Sequence, residues 1–437
     1  YDADGTPFVY LLNSPMWGEA PAGFEWDATL HSTLIEFGWV QAPGVPALYT
    51  FRGESGNVAH LGKIVDDLIF SEQDAKLSVV EATVALLRKR FRDKVSYEAD
   101  PDSFAGYKIT RPSDGGYGLS QPSKVVGAVQ KYLPGLLTGE KFPSLLSGPE
   151  LDAALASLKL VKPTPAKLGA GAKRVQQVLG DMKFFEKTMP QIAHRLHQLS
   201  CIMSSPCPLA LVCAESLLCV AYEERDSCIR YRPDRLIVAP PRVAVDGRME
   251  LDMTLGAPAE LEVSADASFA PPQIVPPEDG DASGVSIHPV HGELQLKLKD
   301  TYSVLLTYGG AGVLWMEKNI GAAVQSTHEG ESIASARACD WLRYGRILAA
   351  IFGADMSEPT RLLTDSLANQ KVSNLPSSSS RSRHFLIRYS VIQSQAAEGN
   401  LLVLHISDEN NPADFLTKGV PHWKAKISTS YVLGDAR

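Results

Sequence analysis

The sequence predicts an α+β protein of several domains, the last of which is a mixed-sheet α/β domain. The chain has 437 residues, with 44% hydrophobic and 21% charged residues, a globular composition that allows two to four domains. Helical and β-leaning patterns alternate along it without an internal repeat. Four acidic residues also fall in or beside predicted strands and helices, all in the second half of the chain. They are Asp266, Glu331, Asp365 and Asp414.

Residues 1 to about 140 alternate short β-leaning and helical stretches. The run LSVVEATVALLRKRF has apolar residues at helical spacing and predicts an amphipathic helix. SFAGYKITR predicts a strand, and PSKVVGAVQKYLPGLL predicts a helix that is interrupted at Pro134. A loop rich in Pro, Gly and Lys, about 138–172, predicts a domain boundary.

The middle of the chain, residues 173–232, predicts an all-helical connecting domain. Its two helix-like runs are VQQVLGDMKFFEKTMPQIAHRLHQLS and PLALVCAESLLCVAYEE. Residues 233–258 predict a second linker. From 259 to about 420 the pattern is strand, long insertion, strands, helix, strand, Ser-rich loop, helix, strand and short helix. This order predicts a mixed α/β domain.

The four acidic residues predict a two-metal phosphodiesterase site. Asp266 lies in a β-leaning run, Glu331 opens a helix, Asp365 ends a strand and Asp414 precedes a short helical segment. Converging carboxylates can hold two divalent cations about 3.5–4 Å apart for an in-line displacement at a phosphodiester. Oxygen ligands suit Mg²⁺ or Mn²⁺. Taken singly, each acid is also compatible with an ordinary turn or helix cap.

A second acidic pair lies in the first domain. The segment HLGKIVDDLIFSE places Asp66 and Asp67 between two apolar β-leaning runs, which predicts a hairpin with both acids at its tip. Such a tip can project a carboxylate toward a catalytic metal, and an ordinary turn gives the same pattern.

Charge and cysteine usage restrict the partners. The net charge of −8 argues against a general polyanion binder, but basic clusters at residues 88–94, 159–187 and 381–388 could contact nucleic acid or form solvated helix faces. Four of the six cysteines recur every six residues, from Cys201 to Cys219, and no C-x-x-C pair exists. We therefore expect no zinc site and no disulfides.

Without a signal peptide or a membrane-spanning run, an intracellular protein is expected.

The segments STHEGES, SRHFLIRY and NPADFLTK resemble the ribonuclease H domain of copia-type long-terminal-repeat retrotransposon polyproteins. In that family the motifs ST-x-E-x-E, KHI-x-IR and AD-x-LTK recur in this order. FVYLLNSPMWGEA, IVDD and FAGYKI resemble the reverse transcriptase of the same polyproteins. The resemblance implies a partial polymerase palm and thumb in residues 1–140, a helical connection in 173–232 and a ribonuclease H-like domain in 259–420. It also implies hydrolysis of RNA in an RNA–DNA hybrid, with Mg²⁺ or Mn²⁺ as cofactor.

Several departures qualify what the resemblance implies. Ile64 replaces the family's Tyr before the paired acids, and Met16-Trp17 replaces its Leu-Tyr. The first catalytic Asp of the family's palm lies upstream of the segment matched by residues 8–18, and Asp2 and Asp4 are too close to that segment to replace it. We therefore expect a fragment whose polymerase site is incomplete.

Two residue assignments stay open between alternatives. Glu329 and Glu331 compete for the metal-ligand role, and the family's helix, which continues from the second Glu, favours Glu331. His384 resembles the family's KHI histidine and either contacts nucleic acid or caps structure. The alternative to an enzyme is a decayed or co-opted element that keeps its fold as a nucleic-acid-binding module without turnover. The oligomeric state cannot be inferred from the sequence.

Overall fold

The protein is a mixed α/β chain with several sheets, seen in a computed structural model. The structure describes residues 20–54, 56–73, 79–91, 95–113, 115–158, 170–204, 206–232, 242–243, 250–251, 261–268, 273–274, 286–287, 294–296, 300–321, 324, 326–374 and 386–434. The chain divides into two compact units, Tyr1–Ala105 and Gly106–Arg437. The expectations for Asp2, Asp4, residues 8–18 and His384 lie outside the described residues.

The first unit contains two helices and an antiparallel sheet in the order β1-β2-β3-β4. Its elements are α1 (Ala20–Phe37), β1 (Val40–Ala42), β2 (Val45–Arg52), β3 (Val58–Ile64), β4 (Asp67–Glu72), α2 (Val79–Phe91) and β5 (Ser103–Phe104). The predicted amphipathic helix is α2, which buries Val80, Val84 and Leu87 against the sheet and α1. Its basic last turn stays exposed.

The predicted hairpin around the paired acids is present. β3 and β4 pair in antiparallel fashion from Ala59 and Glu72 down to Ile64 and Asp67, so Val65 and Asp66 form the two-residue turn. Both acids are exposed at this tip.

The second unit begins with a short sheet and a helical layer. Its elements are β6 (Tyr107–Thr110), β7 (Tyr117–Ser120), α3 (Pro122–Tyr132), α4 (Gly148–Leu158), α5 (Ala170–Phe185), α6 (Ala193–Cys201), α7 (Pro208–Glu223) and β8 (Ile229–Tyr231). The helices share one apolar core. As predicted, the helix beginning at Pro122 stops before Pro134, where a 3₁₀ turn follows.

Three local predictions need correction. Part of the predicted loop 138–172 is α4, whose Leu151 and Leu155 pack in the helical core. The connecting region is not all helical, because β8 pairs with β7. SFAGYKITR is two short strands, β5 and β6, because the chain turns at Ala105 and Gly106, both with positive φ.

A five-stranded mixed sheet forms the rest of the second unit, in the order β16-β15-β11-β17-β18. The remaining elements are β9 (Arg242–Val243), β10 (Glu250–Leu251), β11 (Glu262–Ser268), β12 (Gln273–Ile274), β13 (Ser286–Ile287), β14 (Leu294–Leu296), β15 (Thr301–Tyr308), β16 (Ala311–Asn319), α8 (Thr327–Ile351), β17 (Thr360–Thr364), α9 (Leu367–Asn374), α10 (Leu386–Ala397), β18 (Leu401–His405) and α11 (His422–Leu433). β11, β17 and β18 are parallel, whereas β15 pairs in antiparallel fashion with β11 and β16.

The central strand β11 is buried on both faces. Val263, Ala265 and Ala267 belong to the core that also contains the buried face of α8. On the opposite face, Glu262 accepts a 2.7 Å hydrogen bond from the Tyr431 hydroxyl of α11. Period-two alternation therefore directs Glu262, Ser264 and Asp266 toward the face that α11 covers. No helix among the described residues is long and apolar enough to cross a membrane.

Candidate metal centre

Three of the predicted acids meet in the second unit. One carboxylate oxygen from each of Asp266, Asp365 and Asp414 lies within 4.8 Å of the others. Asp266 is on β11, Asp365 follows β17 directly, and Asp414 opens the 3₁₀ turn Asp414–Leu416 after β18. Asp266 and Asp414 are buried, and Asp365 is partly buried.

Sheet register explains how residues far apart in sequence converge. In the parallel pairing of β11 with β17, Ser264 lies opposite Leu363. Two residues further along each strand bring Asp266 and Asp365 to the same level, on the same face. β18 runs parallel to β17 and ends at the same edge, so the segment after it delivers Asp414. Ligand sites commonly form at the carboxyl ends of parallel strands.

The fourth predicted acid lies beside this group. Glu331 Oε1 accepts a 3.0 Å hydrogen bond from the backbone N–H of Ala267, the residue after Asp266. Its other oxygen, Oε2, is buried without a hydrogen-bond partner. Glu329 instead pairs with Arg388, at 3.1 Å between Nη1 and Oε1. Of the two competing glutamates, the structure therefore places Glu331 next to the aspartates.

The electrostatics of the group are those of crowded, buried carboxyls. Burial raises the pKa of Asp266 to about 7, with Asp365 and Asp414 adding repulsion and Lys418 opposing it. Burial, with the charges of Asp266 and Asp365, also raises the pKa of Glu331 well above its usual range. Burial also raises the pKa of Asp365, and the positive charge of Lys418 opposes this rise. Such repulsion is relieved by a cation.

Two lysines supply positive charge within the group. Lys418 Nζ contacts Asp414 Oδ1 and lies 3.5 Å from Asp266 Oδ1. Burial alone would lower the pKa of Lys418, but the surrounding carboxylates outweigh it and raise that pKa. Lys424 Nζ contacts the other oxygen of Asp414 and lies 3.5 Å from Asp408 Oδ2.

Polar side chains hold the acids in place. Thr417 donates a hydrogen bond to Asp266 Oδ2. The Asn411 amide donates to the carbonyl oxygen of Ala265 at 3.2 Å and lies 3.5 Å from Asp365 Oδ2. His405 Nε2 lies 3.0 Å from the backbone oxygen of Asp365. These contacts fix two of the three aspartates from the end of β18 and the segment that follows it.

The donor set fits a hard divalent cation. Asp266, Asp365 and Asp414 offer only carboxylate oxygens, the ligands that Mg²⁺ and Mn²⁺ favour. Glu331 Oε2 is a buried acceptor with no hydrogen bond, and the charges of Asp266 and Asp365 add to burial in raising the pKa of this side chain. An additional positive charge there would satisfy groups that Lys418 only partly neutralises.

Asp66 and Asp67 do not form such a group. They lie at the exposed hairpin tip of the first unit. Among the described residues, the three aspartates of the second unit are the only group of three or more His, Cys, Asp or Glu side chains close enough together to hold a metal ion. Sequence reasoning, for its part, missed the supporting residues. Asn411, Thr417 and Lys418 lie within the NPADFLTK motif, so its recurrence in the family could have identified them as part of the site. Lys424 lies outside any motif, and nothing in the sequence points to it.

The resemblance predicted from these motifs is confirmed by comparison with known proteins. The chain is 21% identical over 422 residues to the retrovirus-related Pol polyprotein from transposon RE1 of Arabidopsis thaliana, covering 95% of this chain and 24% of that protein. It is 25% identical over 228 residues to a putative transposon Ty5-1 protein of Saccharomyces cerevisiae, covering 52% of this chain and 68% of that one.

A third relative is the retrovirus-related Pol polyprotein from transposon TNT 1-94 of Nicotiana tabacum, at 31% identity over 137 residues, 31% of this chain and 10% of that protein. The matched region thus covers 24% of the length of the RE1 polyprotein. No family model matches the chain.

Solved structures with partial likeness were also found. A crystal structure of LC11-RNase H1 in complex with an RNA/DNA hybrid matches 36% of this chain and 93% of its own, at 16% identity and a TM-score of 0.24. The prototype foamy virus protease-reverse transcriptase matches 95% of this chain and 62% of its own, at 10% identity and a TM-score of 0.20.

Proposed function

We propose, from the relationship of this chain to copia-type retrotransposon Pol polyproteins, that it is a reverse transcriptase and ribonuclease H region whose second unit hydrolyses RNA in RNA–DNA hybrids with Mg²⁺ or Mn²⁺. One observation carries the proposal: Asp266, Asp365 and Asp414 bring carboxylate oxygens within 4.8 Å of one another at the carboxyl edge of parallel strands. A lone acid at a strand end is commonplace, but three buried ones together are costly unless a cation joins them.

Each residue has a definite part in the proposed reaction. Asp266, Asp365 and Asp414 would hold the cations, and Glu331 Oε2 would complete the set from α8. When bound there, divalent cations supply charge neutralisation for in-line displacement at a phosphodiester. Asn411 and Thr417 orient the carboxylates. Burial of the group limits the access of bulk water and strengthens each electrostatic contact.

The domain ranges belong to the same proposal. We assign residues 1–140 to a partial palm and thumb, 173–232 to a mainly helical connection that ends in β8, and 259–420 to the ribonuclease H-like domain. The exposed hairpin at Asp66 and Asp67 supports the palm assignment, because two apolar strands anchor a tip that carries both acids. No third acid joins the pair within the described residues.

A second candidate function is a non-catalytic module that binds nucleic acid. The observation that favours it is the position of Lys418, whose ammonium group contacts Asp414 and approaches Asp266. A lysine that permanently neutralises the aspartates would leave them with a structural role. The two candidates differ in whether a divalent cation can displace that ammonium group.

The test uses the full chain with a hybrid that carries a labelled RNA strand. Cleavage is expected with Mg²⁺ or Mn²⁺ and not with a chelator. Glu331→Gln and Asp365→Asn should reduce the rate by more than about 100-fold, since loss of even an outer partner of a metal ligand costs about 10–100-fold. Glu329→Gln is the matched control: it removes the ion pair with Arg388 at the same helix end and should keep most of the activity.

The variants should remain folded. Because burial already disfavours the charged form of Glu331, a neutral Gln at that position should leave the melting temperature in chelator unchanged or raised. Hybrid binding without any metal-dependent cleavage in the wild type would exclude the nuclease and favour the binding module. Equal loss of activity in Glu329→Gln and Glu331→Gln would refute the assignment of Glu331.

A further inference from the structure

A second cluster of metal-binding side chains lies where α6 packs against the edge strand β16. His197 and Cys201 are four residues apart on α6 and therefore share one face of the helix. Asn319, the last residue of β16, faces them. None of these residues touches the acidic centre in any contact described above. The sequence contains no C-x-x-C pair, but it does contain this His–Cys pair at helical spacing.

The three ligand atoms form a compact triangle. Cys201 Sγ lies 3.6 Å from His197 Nε2, which in turn lies 3.2 Å from Asn319 Oδ1. The remaining side, from Sγ to Oδ1, measures 3.7 Å. Tetrahedral zinc with a sulfur ligand at about 2.3 Å and a nitrogen ligand at about 2.0–2.1 Å separates those two ligands by about 3.6 Å. The spacing of sulfur and nitrogen thus matches that of a tetrahedral metal site. The Asn319 amide nitrogen also donates a 3.3 Å hydrogen bond to Cys201 Sγ, a contact that a bound metal would replace.

A buried carboxylate borders the triangle. Glu317, on the same strand as Asn319 and on the same side, has a side chain only 2% exposed, and its Oε1 lies 3.8 Å from His197 Nε2. Its Oε2 is held at 2.9 Å by His194 Nδ1, one turn before His197 on α6. A carboxyl group beside the ligands offers oxygen atoms to a cation. Cys201 is exposed, so an ion can reach the site from solvent.

We propose that Cys201, His197 and Asn319, with Glu317 beside them, form a binding site for one divalent transition metal of the Zn²⁺ class, distinct from the acidic Mg²⁺ or Mn²⁺ centre. A thiolate and an imidazole select zinc-like ions, whereas an all-oxygen set selects magnesium-like ions. Coordination deprotonates the thiol, so the proton of Cys201 passes to solvent when the metal binds. The bound ion would link α6 of the helical layer to the edge of the five-stranded sheet.

The test is a Co²⁺ titration of the full, chelator-stripped chain. Co²⁺ replaces Zn²⁺ in such sites, and a thiolate ligand gives a charge-transfer absorption in the near ultraviolet. We expect this band at one equivalent in the wild type and its loss on addition of Zn²⁺. Cys201→Ser should abolish it, and His197→Gln should weaken binding at least about tenfold. Cys207→Ser, at a partly buried cysteine on the preceding loop of α7, is the matched control and should keep the band.

A gain of affinity separates a ligand from a structural contact. Asn319→Asp replaces an amide oxygen by a carboxylate and should tighten Co²⁺ binding about tenfold, an effect that destabilisation cannot produce. Asp365→Asn should leave the band unchanged, because the acidic centre is separate. Zn²⁺ should raise the melting temperature of the wild type and not that of Cys201→Ser.

Each contrary result overturns the proposal. Absence of the band in the wild type at millimolar Co²⁺ rules the site out, as does a band that survives in Cys201→Ser. If Cys201→Ser does not fold, as judged by circular dichroism, His197→Gln and Asn319→Asp decide instead. Unchanged affinity in both of those variants refutes the assigned ligands.

Discussion

At the residue scale, Lys418 decides the state of the acidic centre. Its ammonium group lies among Asp266, Asp408 and Asp414, and its side chain is 35% exposed. It therefore acts as an internal counterion for carboxyls that burial and mutual repulsion would otherwise keep protonated. Any divalent cation that enters the group must compete with this charge.

Lys418→Met should lower the free energy of unfolding of the chelator-treated protein at pH 8 by about 1–3 kcal/mol. Removing one partner of a fully buried ion pair costs about 3–5 kcal/mol, and the cost is smaller here because Lys418 is partly exposed. The effect should shrink at pH 5. Because the pKa of Asp266 is raised to about 7, that carboxyl is protonated at pH 5 and needs no counterion, whereas at pH 8 it is ionised. Denaturant unfolding at the two pH values measures the difference.

The same variant should bind Mg²⁺ more tightly than the wild type, since the competing ammonium group is gone. Lys371→Met, at an exposed position of α9, is the control and should change neither the free energy of unfolding nor the affinity for Mg²⁺. A larger destabilisation at pH 5 than at pH 8 would contradict the counterion role.

At the element scale, the hairpin of β3 and β4 contains a strained turn. Val65 has a φ of 59°, a conformation that a β-branched residue rarely adopts. Its neighbour Asp66 occupies the second turn position, and the Trp26 indole donates a 2.9 Å hydrogen bond to the Val65 carbonyl oxygen. The pairing of Ile64 with Asp67 fixes the turn at two residues, so the strain cannot relax by a change of loop length.

Val65→Gly should therefore stabilise the first unit by about 1 kcal/mol. Glycine relieves the left-handed strain of about 1–2 kcal/mol at the cost of some entropy in the unfolded chain. Chemical denaturation of the full chain, followed through Trp26 and Trp39 fluorescence, measures the change. Val40→Gly, at an exposed strand position with ordinary φ, is the control and should destabilise. Destabilisation by Val65→Gly would show that the turn is not strained in solution.

At the scale of the whole molecule, local charge counts for more than net charge. The chain carries −8 overall, yet Arg88, Lys89 and Arg90 form an exposed basic last turn on α2. Binding of a hybrid to such a cluster releases condensed counterions and weakens steeply as salt is added.

The logarithm of the affinity for the hybrid should fall linearly with the logarithm of the salt concentration. The double substitution Lys89→Gln/Arg90→Gln should make this slope shallower by up to about 2, because each lost phosphate contact removes about 0.9. Lys131→Gln is the control, because Lys131 is already ion-paired to Asp181 at 3.0 Å and should contribute little. Fluorescence anisotropy across a salt series measures the slope. A salt-independent affinity would exclude electrostatic binding through these clusters.

Much of the local structure follows from sequence patterns alone. The apolar spacing of residues 79–91 and the paired acids between two apolar runs identified α2 and the β3–β4 hairpin, because both depend on short-range periodicity and turn chemistry. α4 and β8 were missed for the opposite reason. α4 lies in a stretch rich in Pro and Gly and is held by packing of Leu151 and Leu155, and β8 exists only because β7 lies beside it.

The sequence by itself determined which acids could form a site. Asp266 lies in a β-leaning run, Asp365 ends a strand, and Glu331 and Asp414 stand within the motifs STHEGES and NPADFLTK. Only the tertiary structure decided how they meet. The register of β11 and β17 aligns Asp266 with Asp365, and the hydrogen bond from Ala267 selects Glu331. The insertion of Lys418 between carboxylates, like the approach of Asn319 to α6, depends on contacts between distant segments, which no local pattern encodes.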